Sequence, residues 1–249
     1  MIFSMHKRFL ISLICLIIAS FLFSCNNFEE VTNSSVESSS SGFVSSNEEV
    51  SSDIVSQPTE NEWNLILVNS TNKIPDDFEI TLGEIGIRKM DSRIVPIVQE
   101  MIADAKQDGV DLLLASSYRT VERQTELFNE QVQYFKNLGY SDTQAYNNAK
   151  EWVAIPGTSE HHTGLALDIV TPTYQVLDYG FDTTAAFKWL YKNSSDYGFI
   201  LRYPKDKSDI TKITYEPWHY RYVGIETAKY IMENNICLEE YIESITSKN

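Results

Sequence analysis

The sequence predicts a single globular domain, residues 62–249, that combines helices with short strands. Three observations support this prediction. The first 61 of the 249 residues have the composition of a leader followed by a polar linker, so only the remainder has to fold. Beyond residue 62, short apolar runs typical of strands alternate loosely with segments of helical periodicity. Internal repeats are absent from the sequence, which leaves one domain as the simplest organisation.

The chain begins with the features of an export signal. A basic stretch at 6–8 precedes an apolar run at 9–23, which is shorter than the roughly 20 residues that span a bilayer as a helix. The run ends in Leu-Phe-Ser-Cys at 22–25, which resembles a bacterial lipobox. We therefore predict a lipoprotein signal peptide at 1–24 and a lipid anchor on Cys25, at the outer face of the bacterial cytoplasmic membrane. An ordinary secretory signal and an uncleaved anchor are the alternatives.

The composition of residues 25–61, which are rich in Ser and Glu, predicts a disordered tether. The segment has no helical or strand periodicity, and no Lys or Arg occurs between Arg8 and Lys73. Such a composition cannot bury enough apolar surface to offset its conformational entropy. About 35 flexible residues span on the order of 30 to 35 Å, which would let the domain reach from a membrane into a cell wall.

Charge and cysteine content exclude two classes of protein. The formal net charge is -15 and becomes -17 once Lys7 and Arg8 of the signal are removed, so nucleic acid is not an expected partner. Cys15 lies in the signal and Cys25 would carry lipid, which leaves Cys237 alone and excludes a disulfide framework. The apolar neighbours of Cys237 predict a buried small side chain rather than a nucleophile.

The first part of the domain predicts a strand, a helix and a second strand. The segment 64–69 reads Asn-Leu-Ile-Leu-Val-Asn and predicts a strand, after which Pro75 begins a turn. Asp91 is a suitable N-cap for a helix with apolar residues on one side, which ends near Gly109. The continuous apolar run at 110–115 predicts a short buried strand.

Capping residues define the elements that follow. Thr120 can cap a helix that stops at Gly139, and Ser141 can cap another that runs through Trp152. The remaining predicted elements are a helix at 183–193, a strand at 198–203 and a helix at 225–234. The polar connection at 205–215 predicts a loop along the rim of a functional site.

Histidines and a carboxylate predict a metal site. Only four histidines occur in the chain and His6 belongs to the signal, so a site with two imidazoles must draw on His161, His162 and His219. Two imidazoles and one carboxylate suit Zn²⁺ and leave a fourth tetrahedral position open. Asp168 interrupts an apolar run, where an unpaired carboxylate is costly to bury, and either metal ligation or a salt bridge would explain it. Spacing alone does not choose between His161 and His162.

A second short segment, Glu216-Pro217-Trp218-His219, places another carboxylate near His219. Residues three apart on a regular strand point to opposite faces, but Pro217 argues against a regular strand. A bend at Pro217 would direct Glu216 and His219 into one cavity, with Trp218 packed behind them. Taken alone, Glu216 could equally be a surface carboxylate.

Taken together, these motifs resemble the D-alanyl-D-alanine carboxypeptidase family, which includes the VanY enzymes of vancomycin resistance and related L,D-carboxypeptidases. The resemblance extends over roughly residues 64–235. Its matching elements are Ser159-x-His161-x-x-Gly164-x-Ala166-x-Asp168, then Glu216-x-Trp218-His219 about 50 residues later, together with Tyr118-Arg119, Gln124, Pro156-Gly157 and the segment 221–224.

The resemblance implies a fold and a metal site. The implied fold is α+β, a single Hedgehog/D-Ala-D-Ala peptidase-like domain in which a central antiparallel sheet carries the site and helices pack around it. His161, Asp168 and His219 would bind one Zn²⁺ ion, and Glu216 would be the catalytic base.

The resemblance also implies residues that contact substrate. Arg119 would bind the substrate's carboxylate or the developing oxyanion, and it counts among the catalytic residues for that reason. Gln124 and Ser159 match positions that line the substrate site. His162 departs from the family, whose members commonly have Gln at this position.

The implied activity is removal of the terminal D-Ala from peptidoglycan stem peptides by a monomeric zinc carboxypeptidase. L,D-carboxypeptidase activity on tetrapeptide stems and endopeptidase cleavage of cross-links share the same metal motif and stay open. A zinc-stabilised lipoprotein that binds wall peptides without cleaving them is the alternative from another class. An intact Glu216 argues against that alternative, because a structural zinc needs no base and normally has a fourth protein ligand.

Overall fold

The computed structural model describes residues 63–247. The predicted signal peptide at 1–24 and the predicted tether at 25–61, including Cys25, lie outside the described residues. Between residues 63 and 247, no helix combines the length and the apolar character needed to cross a bilayer.

The described chain folds into short strands and helices of one to five turns. The strands are β1 (Leu82–Ile85), β2 (Arg88–Asp91), β3 (Leu113–Ser116), β4 (Ala166–Val170), β5 (Phe199–Leu201) and β6 (His219–Tyr222). The α-helices are α1 (Val95–Gln107), α2 (Val121–Asn137), α3 (Asp142–Ala149), α4 (Ala185–Asn193), α5 (Ser208–Thr211), α6 (Ile225–Glu233) and α7 (Leu238–Thr246). Single 3-10 turns occupy Glu160–Thr163, Tyr179–Thr183 and Ser194–Tyr197.

Two antiparallel sheets organise these elements. β1 and β2 form a hairpin, and the other four strands form one sheet in the order β3-β4-β6-β5. Every neighbouring pair in the four-stranded sheet is antiparallel. The prediction of an α+β domain with a central antiparallel sheet is therefore confirmed.

Strand alternation gives the four-stranded sheet one face that packs on the main core and a second face that carries polar side chains beside apolar ones. Successive side chains of a strand point to opposite sides, so Tyr220 and Tyr222 of β6 leave the sheet opposite to His219 and Arg221. The two tyrosines belong to the main hydrophobic core, which α1 and α4 cover. In the register of β4 and β6, Asp168 pairs with His219. The second face of the sheet therefore carries residues of the predicted site.

Three clusters of buried apolar side chains stabilise the domain. The main core lies between the sheet, α1 and α4. A second core joins Leu65 and Ile200 to the helices α6 and α7. A third core is formed within the pair α2 and α3, around Phe128 and Phe135. The first and second cores hold the sheet on both sides, whereas the third lies in the helix pair and the segment directly after it.

Two predictions about the first part of the domain are wrong. The segment 64–69 is not a strand, because its carbonyl groups bond to a side chain instead of a neighbouring strand: Arg221 Nη2 donates to Asn64 O at 3.0 Å and to Ile66 O at 2.8 Å. Asp91 does not cap a helix, since it ends β2 and its carboxylate accepts from the Arg93 backbone N–H at 2.9 Å. Helix α1 starts later, at Val95, without a side-chain cap.

The predicted caps of the next two helices are confirmed. Thr120 Oγ1 accepts from the Arg123 backbone N–H at 3.2 Å, and Ser141 forms a reciprocal capping box with Gln144. Helix α3 ends at Ala149, however, so Trp152 lies beyond it. The hairpin β1-β2 and the C-terminal helix α7 were not predicted.

Cys237 is buried, with 1% of its surface exposed. Burial raises the pKa of its thiol to about 11, so the thiolate is scarce at neutral pH. The prediction of a small buried side chain is confirmed.

Candidate active site

Three short elements bring the predicted zinc ligands together. His161 lies in the 3-10 turn Glu160–Thr163, which Gly164 ends in a left-handed conformation with φ 69°. Asp168 lies on β4 and His219 faces it from β6. One potential ligand atom from each of the three residues lies within 4.8 Å of the others, and all three side chains are buried.

Hydrogen bonding decides which histidine nitrogens face the shared centre. His161 Nδ1 lies 2.7 Å from Ser117 O and can only donate to this carbonyl, which leaves Nε2 as a lone pair 3.3 Å from Asp168 Oδ2. His219 directs its Nδ1 to Asp168 Oδ1 at 3.2 Å. His161 therefore offers Nε2 to the centre, and His219 offers Nδ1.

His162 points away from this centre. Its Nδ1 lies 2.7 Å from Arg119 O and its Nε2 accepts from the Gly157 backbone N–H at 3.2 Å, so both ring nitrogens have backbone partners. Spacing in the sequence did not choose between His161 and His162 as the ligand. Their positions in the structure favour His161.

The bend at Pro217 places Glu216 at the same centre. The His219 N–H donates to Glu216 O at 3.2 Å, which closes a tight turn, and Glu216 Oε2 lies 3.5 Å from His219 Nδ1. The predicted bend is confirmed. Trp218 differs from its prediction, because it lines the cavity in front of the centre as well as packing against the main core.

Arg119 also lies beside the centre and is held in place by its neighbours. Its Nη1 donates to Gln124 Oε1 at 2.8 Å and its Nη2 donates to Ser116 Oγ at 2.9 Å, while Nη2 lies 3.8 Å from Asp168 Oδ2. The Gln124 amide nitrogen donates to Ala154 O at 2.6 Å. Both ends of this amide are thus engaged, so Gln124 orients the guanidinium. Ser159 is buried and lines the cavity, as predicted.

Burial and neighbouring charges shift the pKa values of these groups in different directions. Burial, reinforced by the Arg119 charge, lowers the pKa of His161 to about 4. Burial also opposes charge on His219, but the close carboxylates of Asp168 and Glu160 prevail and raise its pKa to about 9. Burial raises the pKa of Glu216 to about 8. Although burial disfavours charge on Asp168, the nearby histidines hold its pKa well below the ordinary value.

The cluster fits a zinc ion. Two imidazole nitrogens and a carboxylate converge from different elements, which is the three-ligand set of catalytic zinc sites. Among the described residues, the buried Asp168 Oδ1 has no hydrogen-bond partner. A carboxylate oxygen that is buried without a partner costs free energy unless a cation lies beside it.

A cavity opens in front of the cluster. Its polar residues include Arg119, Ser159, Glu216, Glu130, Gln131 and Thr214, and its apolar wall is formed by Leu127, Trp152, Val153, Leu177, Ile213 and Trp218. Ile213 and Thr214 place the end of the connection 205–215 at the cavity, so the predicted position at the rim is confirmed for this end only, and Ser208–Thr211 form the short helix α5 where a loop was predicted. An apolar wall beside a few polar groups is typical of a site for a small organic ligand.

A buried network of charges behind the cluster was not predicted. Arg202 Nε and Arg221 Nη1 both donate to Glu160 Oε1, at 2.7 and 2.8 Å. Arg202 also forms a bidentate pair with Glu239 of α7. The signal in the sequence is an arginine within or at the end of an apolar strand, since such a charge is rarely buried without a partner. The identity of the partner depends on contacts more than 35 residues away.

Comparisons with known proteins agree with this geometry. The family model of VanY, described as D-alanyl-D-alanine carboxypeptidase, matches residues 87–225. A D-alanyl-D-alanine carboxypeptidase of Enterococcus faecalis is 45% identical over 191 residues, which are 76% of this chain and 69% of that protein.

Solved structures of related proteins have the same fold. A vancomycin-resistance D,D-pentapeptidase VanY variant in complex with Zn(II) superimposes with a TM-score of 0.67 at 45% identity, covering 73% of this chain and 99% of that chain. VanYB in complex with D-alanine-D-alanine gives 0.68 at 45% identity, covering 74% and 99%. The LdcB LD-carboxypeptidase gives 0.64 at 38% identity, covering 74% and 87%.

The matched region contains His161, Asp168, Glu216 and His219, the residues that converge in the cluster. The family model covers more than half of the chain, and the enterococcal relative is similar over more than two thirds of its own length. The chain therefore belongs to the VanY family of D-alanyl-D-alanine carboxypeptidases.

Proposed function

We propose that this protein is a zinc-dependent D,D-carboxypeptidase that removes the C-terminal D-Ala from peptidoglycan stem peptides. The observation that carries the proposal is the arrangement of His161 Nε2, Asp168 and His219 Nδ1 around one centre, with Glu216 and Arg119 beside it. The Zn(II) and D-alanine-D-alanine complexes of VanY relatives support both the metal and the substrate.

In this proposal, His161, Asp168 and His219 hold the ion. Zinc supplies a Lewis acid that polarises the scissile carbonyl and makes a water molecule more acidic. Glu216 takes a proton from the attacking water and passes it to the amine of the departing D-Ala. Without the ion, burial raises the pKa of Glu216 to about 8, and the charge of a bound Zn²⁺ would favour the ionised carboxylate that accepts the proton.

Arg119 explains why the enzyme would remove the C-terminal residue of a peptide substrate. Its guanidinium is fixed by Gln124 and Ser116, so it presents the cavity with an oriented cation. A guanidinium can bind a carboxylate through paired hydrogen bonds, which favours a terminal residue over a continuing chain. The same cation can stabilise the oxyanion of the tetrahedral intermediate. Ser159 lines the same cavity and contributes to binding of the peptide.

The proposal is tested by mass spectrometry of synthetic pentapeptide and tetrapeptide stems incubated with the purified protein and Zn²⁺. Loss of one alanine from the pentapeptide alone supports the D,D activity. Loss from the tetrapeptide alone would assign the L,D activity, which the similarity to LdcB keeps as the second candidate. If neither peptide shortens while zinc is bound, the endopeptidase and the non-catalytic wall-binding alternatives replace it.

Glu216→Gln is the matched control for catalysis. The amide keeps the size of the side chain but cannot take a proton from water, so we expect kcat to fall by about 10³-fold or more while zinc remains bound. The zinc content of the variant is measured alongside its turnover. Retained turnover would remove Glu216 from the role of base.

We further propose that the protein is exported and lipid-anchored through Cys25 to the outer face of the cytoplasmic membrane. The basic stretch, the apolar run and the lipobox-like Leu-Phe-Ser-Cys at 22–25 support this location. Metabolic labelling with a fatty acid should mark the natural chain and not Cys25→Ala. The monomeric state stays a prediction.

A further inference from the structure

The buried charge network touches the zinc cluster at one point, through Glu160 and His219. Glu160 Oε2 lies 3.6 Å from His219 Nε2. Both atoms are buried, and neither has a partner at hydrogen-bond distance among the described residues. Buried polar atoms without a hydrogen-bond partner are rare in folded proteins. We therefore expect these two atoms to be the hydrogen-bond partners of each other.

The orientation of the Glu160 carboxylate is fixed from behind. Oε1 accepts from Arg202 Nε at 2.7 Å and from Arg221 Nη1 at 2.8 Å, and both guanidinium groups are fully buried. Glu239 pairs with the far side of Arg202. These four charges balance, so Glu160 can stay ionised inside the protein. Its second oxygen, Oε2, therefore points to His219 as an acceptor.

We propose that Glu160 is a positioning residue for zinc: its Oε2 accepts the Nε2–H of His219 and thereby keeps the Nδ1 lone pair directed at the metal. A histidine ligand usually donates its second N–H to such a carboxylate, which fixes the tautomer and the ring orientation. His161 has a carbonyl, Ser117 O, in the corresponding role. The inference rests on the proposed function, since it concerns the same zinc site.

Glu160→Gln tests the inference because the two arginines dictate the orientation of the new amide. The amide oxygen must face their N–H groups, so the amide NH₂ faces His219 Nε2. Two donors then oppose each other unless Nε2 becomes an acceptor, which moves the ring proton to Nδ1, the atom that should bind zinc. We expect the zinc affinity, measured by competition with a chelating dye, to fall about 10- to 100-fold.

Glu239→Gln is the matched control. This variant also leaves one arginine of the network without a balancing carboxylate, and the side-chain hydrogen bonds described for Glu239 are with Arg202 and Asn69 rather than with His219. We expect it to lower the thermal stability as Glu160→Gln does, but to leave the zinc affinity within about twofold of the natural protein. Equal zinc affinities for the two variants would overturn the inference and leave Glu160 with a structural role only.

A measurement on the natural protein keeps the inference testable if Glu160→Gln fails to fold. In the nitrogen-15 NMR spectrum of the zinc-loaded protein, the Nε2–H proton of His219 should resonate downfield and exchange slowly, because it is buried against a carboxylate. Rapid exchange with water would overturn the inference.

The two proposals fail in distinguishable ways. If the natural protein neither binds zinc nor shortens stem peptides, both are wrong. If it does both and Glu160→Gln binds zinc equally well, only the role of Glu160 is lost.

Discussion

At the scale of the residue, His161 and His162 show how neighbours in sequence acquire different roles. The His161 ring reaches Asp168, whereas His162 bonds only to the backbone at Arg119 and Gly157. Glutamine can replace one of these backbone hydrogen bonds. We therefore expect His162→Gln to keep zinc and to keep kcat/KM within about threefold, at a cost in stability of about 1 kcal/mol.

Metal analysis and peptide hydrolysis check this expectation, with His161→Gln as the control. The control should lose zinc, because it removes a nitrogen from the cluster. Loss of zinc from His162→Gln, with retention in His161→Gln, would reverse the assignment of the ligand.

Proton release on zinc binding is a second expectation at this scale. The raised pKa of His219, about 9, means that the ring carries a proton at pH 7 that zinc must displace. Zinc therefore competes with a proton below pH 9, and its apparent affinity should rise about tenfold per pH unit for each proton displaced between pH 7 and 9. Glu216, whose pKa is raised to about 8, strengthens this pH dependence of the zinc affinity. The positive charge of the ion favours the ionised carboxylate, so zinc binding releases the proton of Glu216 as well.

Calorimetric titration with zinc at pH 7, in two buffers of different ionisation enthalpy, counts the released protons. At least one proton per ion is expected. An identical observed enthalpy in both buffers would contradict the raised pKa of His219.

At the scale of the element, the turn that carries His161 is anchored on the hairpin of β1 and β2. Gly164 ends this turn with φ 69°, and its carbonyl accepts from the Asp91 N–H at 3.0 Å. An added Cβ would collide with Ile80 and would lie 2.8 Å from the Asp91 nitrogen. Gly164→Ala should therefore lower the free energy of unfolding by roughly 3 kcal/mol or more, because strain and a steric clash add together.

Gly109→Ala separates the two causes. Gly109 also has a positive φ, 77°, but an added Cβ would meet nothing within 4 Å. Its cost should be about 1 to 2 kcal/mol, from backbone strain alone. Urea denaturation measures both values, and equal losses would show that the contact with the hairpin contributes nothing.

Prediction from sequence worked where the signal is local. Thr120 and Ser141 cap helices through atoms three residues away, so a short window contains the whole interaction. The segment 64–69 has the apolar pattern of a strand but bonds to Arg221, more than 150 residues further along the chain. No local pattern contains that partner.

The candidate site shows the same division. The motifs placed His161, Asp168, Glu216 and His219 in one site, and the structure brings them together. The motifs did not identify Glu160 as a neighbour of Arg202 and Arg221, because this contact depends on how β5 and β6 lie against the turn. Nor did they show that Gln124 is occupied by Arg119 and Ala154.

At the scale of the whole molecule, zinc should stabilise the fold, because its ligands connect the turn and β4 to β6, which follows about 50 residues later in the sequence. Free zinc at a hundred times its Kd adds about 2.7 kcal/mol to the free energy of unfolding. For a domain of this size, that gain corresponds to a rise in Tm of about 5 to 10 °C.

Thermal melts with zinc and with a chelator measure this effect, and His219→Ala is the control that should show little of it. A Tm that does not respond to zinc in the natural protein would mean that the three side chains do not bind the ion in the folded state.

The separate core within α2 and α3 has a consequence for how this enzyme can diversify. The helix pair and the segment after it supply Leu127, Trp152 and Val153 to one wall of the cavity, whereas the zinc ligands belong to the turn and the sheet on the other side. Substitutions in the pair that leave Gln124 in place, and with it the orientation of Arg119, can reshape that wall without moving the metal ligands. The catalytic centre and the substrate preference can thus change independently of each other. Replacing the helix pair with that of a relative should transfer the relative's preference for a peptide.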